Sequence, residues 1–277
     1  MTLVAVYRSC MKTIPFLRIG LGVLAALTLF ISGSLHGALI YEDNFSANPG
    51  ALDGRATASG FGAWTTSDTA FQVGSDQIRI DSNLPVDYHA ASFLLPALGA
   101  SDTLSVTITL RPSGPNFTGF GFNPNPATGP SPFLTQAGYG WVYYEGLGGG
   151  TPNIQIFKGA STAGPLYFAT LDNPALNFDA SLPTTFQYTY SAAAKTLSLS
   201  AVNGTSSSTL LNNADVSTIP LSSFSNFSMQ FQGQTLGTDP NPAYVDYLKV
   251  EIVPEPSTFA MLLCGLGAMT ALCRRRR

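Results

Sequence analysis

Thr103-Leu104-Ser105-Val106-Thr107-Ile108-Thr109-Leu110 is the stretch on which the fold turns. Aliphatic residues occupy every second position and hydroxyl residues the positions between. An extended chain with a two-residue side-chain period therefore puts Leu104, Val106, Ile108 and Leu110 on one face and the hydroxyls on the other. That pattern predicts a strand with one buried face. The same period runs through Phe186, Tyr188 and Tyr190, and through Phe227, Met229 and Phe231. Further short apolar runs, ALIYEDNF, AFQVGS, QIRI, HAASFLL, GYGWVYYE, NIQIFK, PLYFATL, KTLSLSAV and AYVDYLKVEIV, are separated by Pro, Gly, Asn and Ser. Asn203-Gly204 suits a tight hairpin. The Pro-, Gly- and Asn-rich segment from Arg111 to Gly138 reads as a long loop interrupted by the short strand FTGFGF. About a dozen strands exceed what one open sheet usually holds, so the sequence predicts an all-β fold of two packed sheets, a sandwich or a barrel.

The two ends of the chain have a different composition from the body. Residues 1–37 have the layout of a secretory signal peptide: Lys12 and Arg18, a 13-residue apolar core from Ile19 to Ile31, then small residues suited to cleavage. Met11 begins a more typical signal than Met1 does. Cys10 precedes the apolar run, so it cannot serve as a lipid-attachment cysteine after cleavage. At the other end, Thr258 to Cys273 carry no charge and are followed by Arg274, Arg275, Arg276 and Arg277. As a helix these residues span about 24 Å, somewhat short of a hydrocarbon core, and the arginine stems can snorkel to make up the rest. A short transmembrane helix with a cytoplasmic arginine tail is expected, the body lying outside.

Between these ends, residues 38–252 are expected to form one β-domain. From Ala38 to Val253 there are six basic and fifteen acidic residues, a net charge of −9 that the basic ends reduce to −3 for the whole chain. Such a surface has no electrostatic reason to bind nucleic acid or anionic lipid. All three cysteines, Cys10, Cys264 and Cys273, lie outside the body, which excludes a body disulfide, a thiolate nucleophile and a cysteine metal site. One histidine, His89, is present in the body, too few for a histidine metal cluster, and it reads as a solvated or hydrogen-bonded strand-edge residue. The body's glutamates are Glu42, Glu145 and Glu251, and none belongs to an E-x-D-x-x-E strand motif of the glycosidase kind. The glycines at Gly146 and Gly148 to Gly150 lack the Lys-Ser/Thr that a phosphate loop requires.

Two constellations remain. In GYGWVYYE a two-residue period places Tyr139, Trp141, Tyr143 and Glu145 on one face, an aromatic strip that serves either core packing or the stacking of sugar rings. In AYVDYLKVEIV the same period puts Asp246 on the apolar face with Tyr244, Leu248, Val250 and Ile252, where a carboxylate needs a partner. Backbone or side-chain hydrogen bonds would supply one. So would Ca²⁺ held with Glu42 or Asp43 of the first strand, since Ca²⁺ favours hard oxygen ligands.

Pro254-Glu255-Pro256, then a short apolar helix, then a terminal arginine cluster resembles the PEP-CTERM sorting signal of Gram-negative bacteria. That resemblance covers residues 253–277. It implies recognition of the tripeptide by the membrane enzyme exosortase, with the protein anchored on the periplasmic side before processing and at the cell surface or in the extracellular matrix afterwards. Tyr41 to Phe45 (YEDNF), Leu52 to Arg55 (LDGR), Ala63-Trp64 and the closing AYVDYLKVEIV are similar to concanavalin A-like or laminin G-like domains. The second resemblance implies a jelly-roll sandwich whose first and last strands pair, bringing Asp43 near Asp246. Together they lead to the expectation of an exported, non-enzymatic body that binds extracellular polysaccharide. A carbohydrate-active enzyme on the same fold and a purely structural adhesion component are the alternatives.

Overall fold

A computed structural model describes residues 38–57, 62–67, 71–80, 88–111, 117–126, 139–145, 153–161, 164–172, 178–179, 181–232 and 243–254. The expected signal peptide, the apolar helix, Glu255, Pro256 and the four arginines lie outside the described residues. Among the described residues no helix is long and apolar enough to cross a membrane. Residues Ala38–Val253 form one compact unit.

The strands in chain order are β1 (Ala38–Asp43), β2 (Gly50–Ala51), β3 (Thr65–Thr66), β4 (Phe71–Gly74), β5 (Gln77–Ile80), β6 (Tyr88–Leu94), β7 (Asp102–Arg111), β8 (Phe117–Asn123) and β9 (Tyr139–Glu145). They continue as β10 (Asn153–Ser161), β11 (Gly164–Asp172), β12 (Thr184–Ser191), β13 (Thr196–Asn203), β14 (Ser206–Asp215), β15 (Asn226–Gln232) and β16 (Tyr244–Pro254). One sheet of nine strands runs β14-β13-β12-β7-β16-β5-β4-β2, with β1 also paired to β16, and a second of seven runs β11-β10-β9-β8-β15-β6-β3. This is the all-β, two-sheet architecture that the alternating runs predict, in the jelly-roll form that the second resemblance implies.

The central strand β7 keeps its predicted alternation, with Leu104, Val106, Ile108 and Leu110 wholly buried. Its neighbour β12 buries Phe186, Tyr188 and Tyr190, and β15 in the other sheet buries Phe227, Met229 and Phe231. The two inner faces meet through aromatic contacts. Phe120 of β8 lies 5.6 Å from Phe186, and Phe122 lies 5.2 Å from Tyr188, centroid to centroid. Each such ring or aliphatic side chain stabilises the fold by about 1.5–3 kcal/mol through burial, which is how a body without disulfides holds together.

First and last strands pair as expected: Ala38 is opposite Ile252, and Asp43 is opposite Leu248. The LDGR segment serves as a staple for the chain that follows β1. Leu52 is wholly buried. Gly54, at φ +75, turns the chain so that its N–H donates to Trp64 O at 2.8 Å. Arg55 reaches back to Asp43.

The structure adds to or departs from the sequence reading in three places. The polar β14 carries too few apolar residues to announce itself in the sequence, yet it pairs with β13 across the Asn203–Ser206 hairpin, where Gly204 adopts φ +57. Of the two states expected for His89, solvated or hydrogen-bonded, the solvated one is excluded, since the residue is buried at 4 % exposure. It stands opposite Phe231 on the inner side of β6, because Ala91 and Phe93 set that strand's inward positions. In β16 the alternation slips: half-buried Asp246 and Tyr247 together separate buried Val245 from buried Leu248. Asp246 therefore points away from the face that carries Leu248, Val250 and Ile252.

Candidate functional site

The aromatic strip lies on β9, and its geometry begins with a glycine. Gly140 sits at φ +59, and a Cβ there would collide with the Tyr188 hydroxyl. The β8–β9 register shifts at this point: Phe120 pairs with Val142 and Phe122 with Tyr139, so two β9 residues oppose Gly121. The bulge divides the strip. Tyr139 packs against the main core, while Trp141 and Tyr143 turn to the outer face of the seven-stranded sheet and form a separate cluster with Phe157. A strict two-residue period had put all three aromatics on one face. The left-handed glycine breaks that period, as bulges do.

On the outer face the two rings lie over β8. Their centroids are 5.8 Å apart with planes 28° from parallel, and Phe157 meets Tyr143 edge-on at 5.5 Å. Beneath them are Gly119 and Gly121. A Cβ on Gly119 would stand 2.7 Å from Tyr143 Cδ1, and one on Gly121 would stand 2.5 Å from Trp141 Cγ. Trp141 is wholly buried and Tyr143 is 8 % exposed. Trp141 Nε1 donates to Phe122 O at 3.3 Å, and the Tyr143 hydroxyl donates to Gln230 Oε1 at 3.3 Å.

The same face carries an unusual load of polar side chains. Across the strands, Gly119 is opposite Gln230 and Gly121 is opposite Ser228. Ser228 in turn is opposite Ser92. Asn123 and Asn226 form the next pair, joined by a 3.3 Å hydrogen bond from Asn226 Nδ2 to Asn123 O. Ser92, Asn123, Asn226, Ser228 and Gln230 are all buried. Ser228 Oγ is shielded from solvent with no hydrogen-bond partner among the described residues. The signal for this bed was present in FTGFGF, where glycines alternate with core phenylalanines and mark a place of close approach.

Glu42, Asp43 and Asp246 meet different partners. Asp43 Oδ2 accepts from Arg55 Nη2 at 2.6 Å and Nε at 3.0 Å, and from the Tyr41 hydroxyl at 3.2 Å, while Oδ1 accepts from Phe45 N at 2.6 Å. Arg55 also donates to the carbonyls of Ala47 and Asn48, which ties down the turn. Glu42 accepts from the Tyr247 hydroxyl at 2.8 Å. Burial, then the Glu42 carboxylate, pushes the Tyr247 phenol up to about 12. Asp246 faces Gln77 and Arg111 instead. Burial raises its pKa, against the opposing effects of a Gln77 hydrogen bond and the Arg111 charge. Among the described residues no group of three metal-ligating side chains comes together.

Comparison with known proteins adds two findings. Residues 253–277 match the family profile of the PEP-CTERM protein-sorting motif. No curated protein sequence matches the chain. Among solved structures, the CBM2 module of the evolved Dit of Lactobacillus casei BL23 phage J-1 is similar in fold, with a TM-score of 0.53 and 8 % identity, over 79 % of this chain and 96 % of that one. Lectin II from Ulex europaeus is similar with a TM-score of 0.51 and 8 % identity, over 79 % of this chain and 100 % of that one. The lectin UEA-II complexed with galactose gives the same figures. The chain thus carries a PEP-CTERM protein-sorting motif behind a two-sheet jelly-roll body whose fold is similar to that of these lectins.

Proposed function

We propose that the protein is displayed outside the cell through its sorting motif and that its body holds polysaccharide there without cleaving it. The motif marks an exported sorting substrate, and it begins inside the sandwich: Val253 and Pro254 are the last residues of β16, two positions past the Ile252–Ala38 pair. In this reading exosortase receives a folded domain whose two ends meet at one place.

The observation that carries glycan binding is the make-up of the outer face of the seven-stranded sheet. Aromatic area suits the C–H face of a sugar ring, and amides and hydroxyls suit its O–H groups. Trp141, bedded on Gly121 and wholly covered, supports the face. Tyr143, with its residual exposure, is the group that meets the ligand. The likeness to a carbohydrate-binding module and to lectins supports this reading through the fold.

The test is a glycan array read beside a reducing-end assay, using the full chain in detergent and the body excised at 38–253. Retention without new reducing ends is expected. Release of fragments would favour a carbohydrate-active enzyme, and neither retention nor release would leave a structural adhesion component.

A further inference from the structure

Three turns meet beside the end of β12 and enclose an open cleft of about 560 Å³, within the ~300–1,000 Å³ usual for small-ligand sites. Ala100 lies in the turn before β7, Ala192, Ala193 and Lys195 in the β12–β13 turn, and residues 217–221 in the chain that follows β14. Hydrogen bonds lock these walls together: Ala192 N donates to Asp102 O at 2.9 Å, and Val216 N to Lys195 O at 2.9 Å. The floor is buried Tyr190, Ala192 and Ile219, with the Tyr190 ring stacked on Phe224 at 4.1 Å between centroids. Ala193, Lys195, Ser217 and Thr218 are exposed around the opening.

Lys195 is kept at this opening against the local preference of the chain. Its φ of +53 lies in the left-handed region that residues with a Cβ avoid. In the next hairpin a similar conformation, φ +57, is taken by Gly204. Glycine would serve the β12–β13 turn at least as well, so the turn does not account for the lysine. An ion pair does not account for it either. Arg55 and Lys249 are paired with Asp43 and Glu251, whereas the Lys195 ammonium has no such partner among the described residues. The nearby acids are turned to backbone amides: Asp102 Oδ2 accepts from Gly99 N at 2.7 Å, and Asp215 Oδ1 from Ser217 N at 2.8 Å.

We infer that this cleft binds an acetylated sugar residue, its acetyl methyl seated on Ala192, Ala193 and Ile219 and its acetyl carbonyl accepting from the Lys195 ammonium. The Ser217 and Thr218 hydroxyls meet the hydroxyls of the ring. An ammonium only donates, so the group it meets must be an acceptor. A carboxylate would accept, but it would enter beside Asp102 and Asp215 in a body of net charge −9. A carbonyl accepts without bringing a charge, and the bond is still charge-assisted from the lysine side. The short alanine side chains leave room for a methyl group and remove it from water. That the acetyl group is carried on a sugar rests on the polysaccharide reading above; the cleft itself shares no residue with the Tyr143 face.

Alanine-methyl NMR signals of the ¹³C-labelled full chain in detergent report on the cleft, with Ala193→Ser identifying the Ala193 signal. N-acetylglucosamine and N-acetylgalactosamine carry the acetyl group as an amide and 6-O-acetylglucose carries it as an ester; glucose and galactose lack it, and glucuronate offers a carboxylate instead. At least one acetylated sugar should shift the Ala193 signal saturably, and about tenfold or more tightly than its unacetylated parent, the amide and ester probes showing which linkage is read. Lys195→Gly should weaken that binding by about tenfold, the equivalent of one charge-assisted hydrogen bond, while the melting temperature stays the same or rises because glycine is at ease at positive φ. Lys195→Asn, which also tolerates that conformation, should weaken binding in the same direction, and Lys195→Arg should keep it. No saturable shift with any acetylated sugar, equal affinity for the unacetylated parents, tighter binding of glucuronate, or undiminished binding in both the glycine and the asparagine variant would overturn the proposal. Glycan retention on the array without a shift at Ala193 would sink this site and leave the broader polysaccharide reading standing, whereas neither retention nor shift would sink both.

Discussion

The Cβ position of Gly121 falls 2.5 Å from Trp141 Cγ, so the indole occupies the space that any other residue at 121 would need. Gly121→Ala should therefore displace the ring, destabilising by about 1–3 kcal/mol through overpacking. Trp141→Ala should cost about 3–5 kcal/mol through lost burial and the cavity left behind. Urea denaturation of the two variants checks both figures. A near-neutral Trp141→Ala would mean that the indole is not the support described for it.

Tyr143→Phe keeps the ring and removes only its hydrogen bond to Gln230. Stability should fall by about 0.5–1.5 kcal/mol, while glycan retention on the array should drop in a protein that remains folded. Ser228→Ala should be still milder in stability, since its hydroxyl has no partner to lose, and should leave retention unchanged because that hydroxyl is shielded from solvent. Full retention in Tyr143→Phe would remove this face from the binding account.

The Arg55–Asp43 pair is half-enclosed and anchors the turn after β1 through the Ala47 and Asn48 carbonyls. Arg55→Met should lower stability by about 2 kcal/mol, between the ~1 kcal/mol of surface pairs and the ~3–5 kcal/mol lost on breaking buried ones. Because Asp43 is engaged with Arg55 and Glu42 with Tyr247, chelation by EDTA should leave the melting temperature unchanged. A lowered melting temperature in EDTA, restored by Ca²⁺, would show that these acids hold the ion after all.

Burial holds the Asp246 pKa above the ordinary carboxylate range. The folded state then binds the proton more readily than the unfolded chain does. Between the unfolded and the raised folded pKa, stability falls as pH rises, and at neutral pH the charged group is a net liability. Asp246→Asn should accordingly raise the melting temperature at pH 7, and the gain should shrink as pH drops through the carboxylate range. Melting curves from pH 3 to 8 test the sign, and a variant less stable than the parent at pH 7 would reverse it.

Sorting should depend on Pro254 and Pro256, because a residue that precedes proline is biased toward extended geometry. Alanine at both positions is expected to leave the protein in the membrane with its arginine tail attached, as followed by cell fractionation and mass spectrometry of the C-terminus. Normal release would separate the motif from processing.

Much of this protein was legible in its order of residues. The sorting motif is a linear signal read by position, with Pro254 entering it straight from the last strand. The two-sheet architecture follows from the side-chain period of Thr103–Leu110 and its counterparts, because an extended chain cannot bury both faces against one partner sheet. What the sequence could not decide is which face a residue occupies once a strand stops alternating. Gly140 turns Trp141 and Tyr143 away from Tyr139, and the slip at Asp246–Tyr247 moves Asp246 from the apolar face to the side of Gln77 and Arg111. Both are single-residue shifts fixed by the register of a neighbouring strand, Phe122 opposite Tyr139 and Ile78 opposite Val245. Pairing partners far away in the chain set those registers, and only the folded structure brings them together.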